Sequence, residues 1–418
     1  MQLSLFTSTE NKVRKKSDCR FIGDKSLSEV FATYDALNAD ESHKLSSDDI
    51  CTPMACVKTM IDYLPEEIWR RDDLKILDPC AGNGNFGAYC KFKTDLNNIW
   101  FNDINQKRIA NLNALLAPAH VMTRDALDLT SFNQWDVVMA NPPYSGGGNK
   151  NRSLSNMFIE HSISLLKENG YLCFVTPNNW MTYNNDNSTL KKLLRLGSFI
   201  VIDNDVKKYF PKVGSSFTIF VWQKGKKTNR TTVKNNYLVR DTQCDVVIPE
   251  DLPFLPLYLS NNIIGVLQKT IGYETNRFSY RCDLHNHTKA KLLTDIEDRS
   301  HPYKTIHTVR KTRYASIKQD IYDKYLVLVP LSTYFKPFVE HHVNVTQSIG
   351  YIPFEDKQQA INCIDEITKP WWKVMIHLTR YGNFNNIMVL KHLKFGKNIV
   401  FSQKESNEIN KLSQLIKY

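Results

Sequence analysis

The chain runs to 418 residues, 42% hydrophobic and 23% charged, and its 54 Lys and Arg against 43 Asp and Glu leave a net charge of +11. That composition supports a substantial core in about two domains; no run of 18 apolar residues and no basic-flanked apolar leader follows Met1, which argues against a membrane partner or secretion and makes the cytoplasm the expected location. Nine cysteines, an odd number spread from Cys19 to Cys363 without a C-x-x-C pair, argue against a disulfide framework and a zinc ribbon, so reduced, mostly buried thiols and no metal are expected.

Charge is unevenly placed. Residues 1–228 carry a net +3 and residues 229–418 a net +8, which makes the second half the candidate binder of a polyanion.

In chain order, residues 1–20 are expected to be a mobile tail that presents Gln2, Leu3, Leu5 and Phe6 near its tip. Thr52 as N-cap and Pro53 at the first helical position predict a helix whose apolar side carries Val57, Met60, Ile61 and Leu64. Short apolar runs at 75–77, 99–101, 136–139, 171–175 and 199–202 then alternate with helical patterns, one of them bearing Phe158, Ile159, Ile163 and Leu166 and stopped by Gly170. This alternation predicts an α/β fold with a parallel sheet and crossover helices. Residues 210–222 read differently, as a turn followed by a long alternating strand expected to run antiparallel to the others. The polar, basic stretch 225–232 reads as a linker, so the expected domains are 21–228 and 229–418, the second mixing β-rich runs such as 325–329 with shorter helices in an α+β arrangement.

The first strand leads into Asp78-Pro-Cys-Ala-Gly-Asn-Gly-Asn-Phe-Gly87, a loop that lets a ligand approach the backbone. Gly82, Gly84 and Gly87 satisfy G-x-G-x-x-G and Asp103 follows after the second strand, so a dinucleotide reading competes with another nucleotide cofactor. Asp78 would oppose a pyrophosphate but suit a sulfonium ligand or its ammonium group. Asp103 could take ribose hydroxyls under either reading, and Asp125 an adenine amine; a solvated loop carboxylate and a helix cap are the bland alternatives for the two. The loop alone leaves the cofactor open.

Asn141-Pro142-Pro143-Tyr144, directly after an apolar strand, breaks the tie. The lone pair of an aromatic amine is delocalised into its ring, and acceptors on its two hydrogens restore the nitrogen as a nucleophile. The Asn141 side-chain oxygen and the Pro142 carbonyl are two such acceptors, the prolines stiffen the loop and remove donors, and Tyr144 offers a π-face.

Together these motifs resemble the S-adenosylmethionine-dependent DNA adenine-N6 methyltransferases, in the order of the gamma class typified by the Taq restriction-modification enzyme. The specific motifs cover about residues 45–225; beyond 230 only position and general character match. The resemblance implies a Rossmann-like methyltransferase sheet, mostly parallel with one antiparallel strand, followed by a DNA target-recognition domain. It implies a cofactor site of Thr52, Pro53, Asp78, Cys80, Ala81, Gly82, Gly84, Asp103, Ile104, Asp125, Ala126 and Asn141. It further implies catalysis by Asn141 and Pro142, with Tyr144 stacking on a flipped adenine and Phe210 as second stacking ring, although Tyr209 is adjacent and plain core packing is the alternative for Phe210. Double-stranded DNA and a cognate restriction endonuclease are the implied partners.

Lys304, Arg310, Lys311, Arg313 and Lys318 fall in a segment without an acid and are candidate phosphate contacts, with a solvated face as the alternative. Trp371, Trp372 and Tyr381 are expected to be buried packing rather than base-stacking groups. Gln2-Leu3-Ser4-Leu5-Phe6 resembles the peptide by which bacterial replication and repair proteins dock into the DNA sliding clamp, and the same residues could instead fold back onto the domain. Three readings compete with DNA methylation: the same tetrapeptide acting on RNA adenine or a protein glutamine amide, a catalytically idle DNA-binding scaffold, and a dehydrogenase.

Overall fold

A computed structural model describes residues 22–40, 42, 50–144, 154–182, 188–211, 216–225, 230–272, 278–331, 335–382, 385–395 and 398–416. The clamp-like residues Gln2, Leu3, Leu5 and Phe6 and residues 226–229 of the 225–232 linker lie outside them. Two compact units emerge. The first comprises residues 1–177, 192–211 and 217–231, and the second residues 178–191, 212–216 and 232–418. The second unit thus takes in two short insertions from the chain that precedes residue 232.

In the first unit the strands are β1 (Ile76–Asp78), β2 (Ile99–Asn102), β3 (His120–Met122), β4 (Trp135–Ala140), β5 (Leu166–Pro177), β6 (Gly197–Asp203) and β7 (Phe217–Lys224). The intervening helices are α1 (Leu27–Ala39), α2 (Met54–Asp62), α3 (Asn85–Cys90), α4 (Gln106–Leu115), α5 (Leu154–Leu165) and α6 (Thr189–Leu196). The strands lie in the order β3-β2-β1-β4-β5-β7-β6. β1 to β5 pair in parallel, while β7 pairs antiparallel with β5 on one side and β6 on the other. The segment after β6 turns back on itself, which reverses β7 and lets it slot between β5 and β6. This is the expected Rossmann-like methyltransferase sheet.

Central strands buried on both faces read as continuous apolar runs. Val137, Val138, Met139 and Ala140 of β4 and Leu172 to Val175 of β5 are all inaccessible to solvent. Charged Asp136 closes the lower end of β4, where it accepts from Arg71, Lys167 and the Lys75 backbone N–H.

Two predicted boundaries need correction. Helix α2 begins one residue later than expected: Pro53, with an extended ψ of 141°, is the N-cap, and Thr52 precedes it without capping. The Pro53 carbonyl takes the Cys56 and Val57 N–H groups, so the helix is started by a backbone acceptor rather than by a threonine side chain. Gly170 does not stop helix α5, which ends at Leu165. It lies within β5, where a Cβ would stand 3.0 Å from the Trp135 carbonyl oxygen and 3.1 Å from that of Asp136, so the glycine suits the close approach to β4.

In the second unit the strands are β8 (Thr231–Tyr237), β9 (Val239–Val246), β10 (Leu293–Thr294), β11 (Tyr303–Thr308), β12 (Lys311–Ala315), β13 (Tyr325–Pro330), β14 (Phe338–Glu340), β15 (Asn344–Val345) and β16 (Ile349–Phe354). The helices beside them are α7 (Asn261–Thr270), α8 (Lys357–Ile367), α9 (Pro370–Leu378), α10 (Ile387–Lys391) and α11 (Gln403–Leu415). Strands β10-β12-β11-β15 form one small sheet and β14-β13-β16 another. Trp371 and Trp372 are buried in α9, as expected, and the Tyr381 hydroxyl donates to the Leu255 carbonyl at 2.7 Å. Among the described residues no helix is long and apolar enough to cross a membrane, and no cluster of His, Cys, Asp and Glu could hold a metal ion.

Candidate active site at the carboxyl ends of the strands

Three backbone donors of the loop after β1 are taken within the fold. The Ala81 N–H donates to the Asn102 carbonyl at 2.9 Å, the Gly84 N–H to the Ala81 carbonyl at 2.8 Å, and the Gly82 N–H to Asp103 Oδ2 at 2.7 Å. A pyrophosphate-binding loop would turn such donors toward the ligand. Here the Ala81, Gly82 and Gly84 N–H groups are committed, which disfavours the dinucleotide reading. Two of the three glycines serve packing as well: a Cβ on Gly84 (φ +84°) would lie 2.4 Å from Leu116, and one on Gly87 would lie 2.1 Å from the Phe101 ring.

Asp78, at the end of β1, is 1% exposed, and among the described residues neither of its carboxylate oxygens completes a hydrogen bond. Burial pushes its pKa well above the usual carboxylate range, the Asp103 charge adds to the rise, and the approaching Cys80 backbone amide offsets only part of it. A buried carboxylate left this way is costly unless a donor or cation completes it.

Asn102, fully buried, ties two loops together. Its Nδ2 donates to the Pro79 and Arg124 carbonyls at 2.9 and 3.0 Å, and its Oδ1 accepts from the Arg124 N–H at 3.1 Å. Asp103 beside it accepts through Oδ1 from the Asn105 N–H at 2.8 Å, which together with the Gly82 bond fixes the carboxylate at the cavity wall. Asp125 does cap a short 3₁₀ turn, accepting from the Leu127 N–H at 2.9 Å, and it also lines the cavity. Asn85 Nδ2 donates to the Thr52 carbonyl at 2.7 Å, which fastens the start of α2 to the glycine loop.

These groups surround a cavity of about 280 Å³ whose walls include Cys80, Asp103, Ile104, Asp125, Asn141 and Tyr144. A second cavity, of about 40 Å³, is bounded by Thr52, Cys80, Ala81, Gly82 and Asn85, and shares Ile50, Cys80, Arg108 and Asn141 with the first. Ile104 stands 62% exposed at the rim, an apolar surface with nothing of its own to cover it. Ala126 and Pro142 also line the larger cavity, whereas Pro53, Asp78 and Gly84 line neither.

Asn141 sits just beyond β4. Its Nδ2 donates to the Ile50 carbonyl at 3.0 Å, which decides the orientation of the amide and leaves Oδ1 as the acceptor toward the cavity. That Oδ1 accepts a hydrogen bond from the Tyr144 hydroxyl. The Tyr144 ring meets Phe217 edge-on at 5.1 Å, and Phe217 stacks on Phe210 at 5.4 Å. Phe210 is 4% exposed and stands one ring behind Tyr144, packed in the core rather than on the cavity wall. Tyr209 turns elsewhere, its hydroxyl 2.7 Å from that of Thr59.

The sequence reading missed Asn102, Arg108 and Phe158. Arg108 had a signal: with Leu112 and Leu115 it occupies the buried face of α4 at helical spacing, where a charge is out of place. Asn102 had none, because its role depends on two loops far apart in sequence.

In the second unit the candidate phosphate contacts meet acids from neighbouring segments. Lys304 pairs with Glu340 at 3.2 Å, Lys318 with Asp323 at 2.6 Å, and Lys311 and Arg313 share Asp295 at 3.4 and 3.0 Å. Arg310 is exposed in the turn between β11 and β12, with no ion pair among the described residues.

Residues 83–204 match the sequence model of the Eco57I restriction-modification methylase family. The chain is 27% identical over 290 residues to the type II methyltransferase M.HincII of Haemophilus influenzae, covering 61% of this chain and 53% of that protein. It is 28% identical over 133 residues to a release factor glutamine methyltransferase of Mycoplasma mycoides, covering 30% of this chain and 47% of that one. In fold it is similar to DrdV, solved in a complex with DNA, at a TM-score of 0.53 and 12% identity over 92% of this chain and 59% of the other. The chain therefore spans about half the length of the curated relatives it matches.

Proposed function

We propose that this chain transfers a methyl group from S-adenosylmethionine to the N6 amine of an adenine in duplex DNA, as the modification enzyme of a restriction-modification system. One observation carries the reading: the Ile50 carbonyl holds the Asn141 amide so that Oδ1 is presented as an acceptor at the cavity. The match of residues 83–204 to a restriction-modification methylase family supports it.

The residues present fit this cofactor. An unsatisfied Asp78 carboxylate suits a cationic ligand, the consumed loop donors disfavour a pyrophosphate, and the exposed Ile104 suits the face of a purine. Asp103 lines the larger cavity, where a carboxylate acceptor suits a ribose diol. Thr52, Cys80, Ala81 and Gly82 bound the smaller cavity on the methionine side, and Asp125 and Ala126 stand at the adenine end. When bound, the sulfonium supplies an electrophilic methyl group.

Asn141 Oδ1 and the Pro142 carbonyl would accept the two hydrogens of the target amine, drawing the nitrogen lone pair out of conjugation. The contribution of these residues is orientation and polarisation in a partly dry site. An adenine must leave the duplex to reach them, at a cost of about a few kcal/mol that ring contacts and phosphate contacts offset. Residues 232–418, with Arg310, Lys311 and Arg313, would supply the DNA target-recognition function, and a cognate restriction endonuclease is the implied partner.

The purified chain incubated with methyl-labelled S-adenosylmethionine and separate samples of duplex DNA, structured RNA and a translation release factor tests this directly. Label is expected in DNA, and modification-sensitive sequencing should place it on adenine N6 within one short motif. Label in RNA or in a glutamine of the protein sample, with none in DNA, would replace the substrate assignment.

A further inference from the structure

The group assigned to stacking on the target base is engaged with the group assigned to hold the target amine. Tyr144 donates its hydroxyl hydrogen to Asn141 Oδ1, the one acceptor that the Ile50 contact leaves facing the cavity. The Tyr144 ring rests edge-on against Phe217, which is itself braced by Phe210. We propose that Tyr144 is a placeholder for the substrate: its hydroxyl occupies the amine-binding position until the adenine amine displaces it, and the freed ring then lies against the incoming base. This rests on the assignment of Asn141 as the acceptor of the target amine.

The physical basis is an exchange of like for like. A half-buried carbonyl oxygen is unfavourable without a donor, and the hydroxyl supplies one from within the same loop. When an N–H of the adenine amine arrives, one hydrogen bond replaces another and Oδ1 is never left bare. A base without the exocyclic amine has no donor to offer, so it would leave either the hydroxyl in place or the acceptor empty. Discrimination for an amine-bearing base thereby begins with displacement of the hydroxyl, before any chemistry. Phe217 sets the resting position of the ring, and Phe210 acts one ring further back as a positioning residue.

The hydroxyl opposes amine binding in the resting state, so its removal has a defined sign. In Tyr144→Phe the π-face remains while the competitor for Oδ1 is gone. The test is a four-way binding comparison with S-adenosylhomocysteine present, so that no transfer occurs: wild-type and Tyr144→Phe protein, each with a duplex bearing adenine and one bearing unsubstituted purine at the methylated position. The preference for adenine over purine is expected to rise about fivefold in Tyr144→Phe, equivalent to ~1 kcal/mol for one exchanged hydrogen bond.

An unchanged preference, or one that falls, would overturn the placeholder role, since either result means the hydroxyl does not compete with the amine. If wild-type and variant both bind purine and adenine duplexes equally, the assignment of Asn141 as amine acceptor fails instead. Melting curves of the free proteins provide a control on folding, and Tyr144→Phe is expected to unfold cooperatively at a slightly lower temperature.

Discussion

Two regions carry charge in opposite ways. Around the glycine loop of the first unit, Asp78 is buried with no hydrogen-bond partner among the described residues, and the Asp103 charge beside it makes ionisation harder still. Along β11 and β12 of the second unit, most of the basic side chains on a net-positive stretch have been met by acids from elsewhere. A carboxylate held in an unfavourable state inside a fold is a sign of a missing ligand. An exposed lysine beside an exposed aspartate is ordinary surface, because water already screens both. The contrast makes the cofactor side of the site the firmer assignment and narrows the DNA contacts toward Arg310.

The sharpest way to test the first region is at its reaction centre. Asn141→Ala removes the oriented acceptor and should lower the rate of DNA methylation by about 100- to 1000-fold, the range for loss of one preorganised polar contact in a transition state. Cofactor binding, measured by calorimetry, should persist. Substantial residual transfer would remove Asn141 from the mechanism.

Asp78→Asn should weaken S-adenosylmethionine binding by at least about 30-fold, from the ~2 kcal/mol lower bound for loss of one partner of a buried charge pair. The pH dependence follows from the raised pKa. The ligand-free protein holds a proton on Asp78 at pH values where an exposed aspartate has lost it, and a cationic ligand favours the ionised form. Affinity should therefore rise with pH up to the Asp78 pKa, with protons released on binding below it. Calorimetry in two buffers of different ionisation heat measures that release, and Asp78→Asn should abolish it. The same release in the variant would assign it to another group.

In the second region the effects should be smaller and graded. Arg310→Ala is expected to reduce the slope of log affinity for duplex DNA against log salt by about 0.9, the signature of one lost phosphate contact. Lys304→Ala and Lys318→Ala should change it less, because each lysine has a carboxylate neighbour. Equal losses for all three would mean that the exposed pairs open on DNA and that the two regions differ less than the free protein suggests.

Residues 75–225 were the legible part of the fold. Buried parallel strands appear as short apolar runs, and Asp78, Asp103 and Asn141 each end or follow one, so their place at the carboxyl ends of the strands could be read along the chain. The antiparallel β7 was visible through the turn that precedes it. Edge strand β3 was not, because His120–Met122 is only partly covered and leaves no apolar run.

The sequence by itself determined the strand order of events along the first unit and the chemical kind of each site residue, because local spacing and residue type are enough to place an acid or an amide at a strand end. Tertiary structure alone decided which polar groups are already spent. The Ala81 and Gly82 N–H groups are taken by Asn102 and Asp103, Lys304 and Lys318 by acids, and the Asn141 acceptor by Tyr144. Most of these contacts join residues that are remote along the chain, and the short-range ones depend on how their loop is folded, so the difference between an available group and a satisfied one exists only after folding.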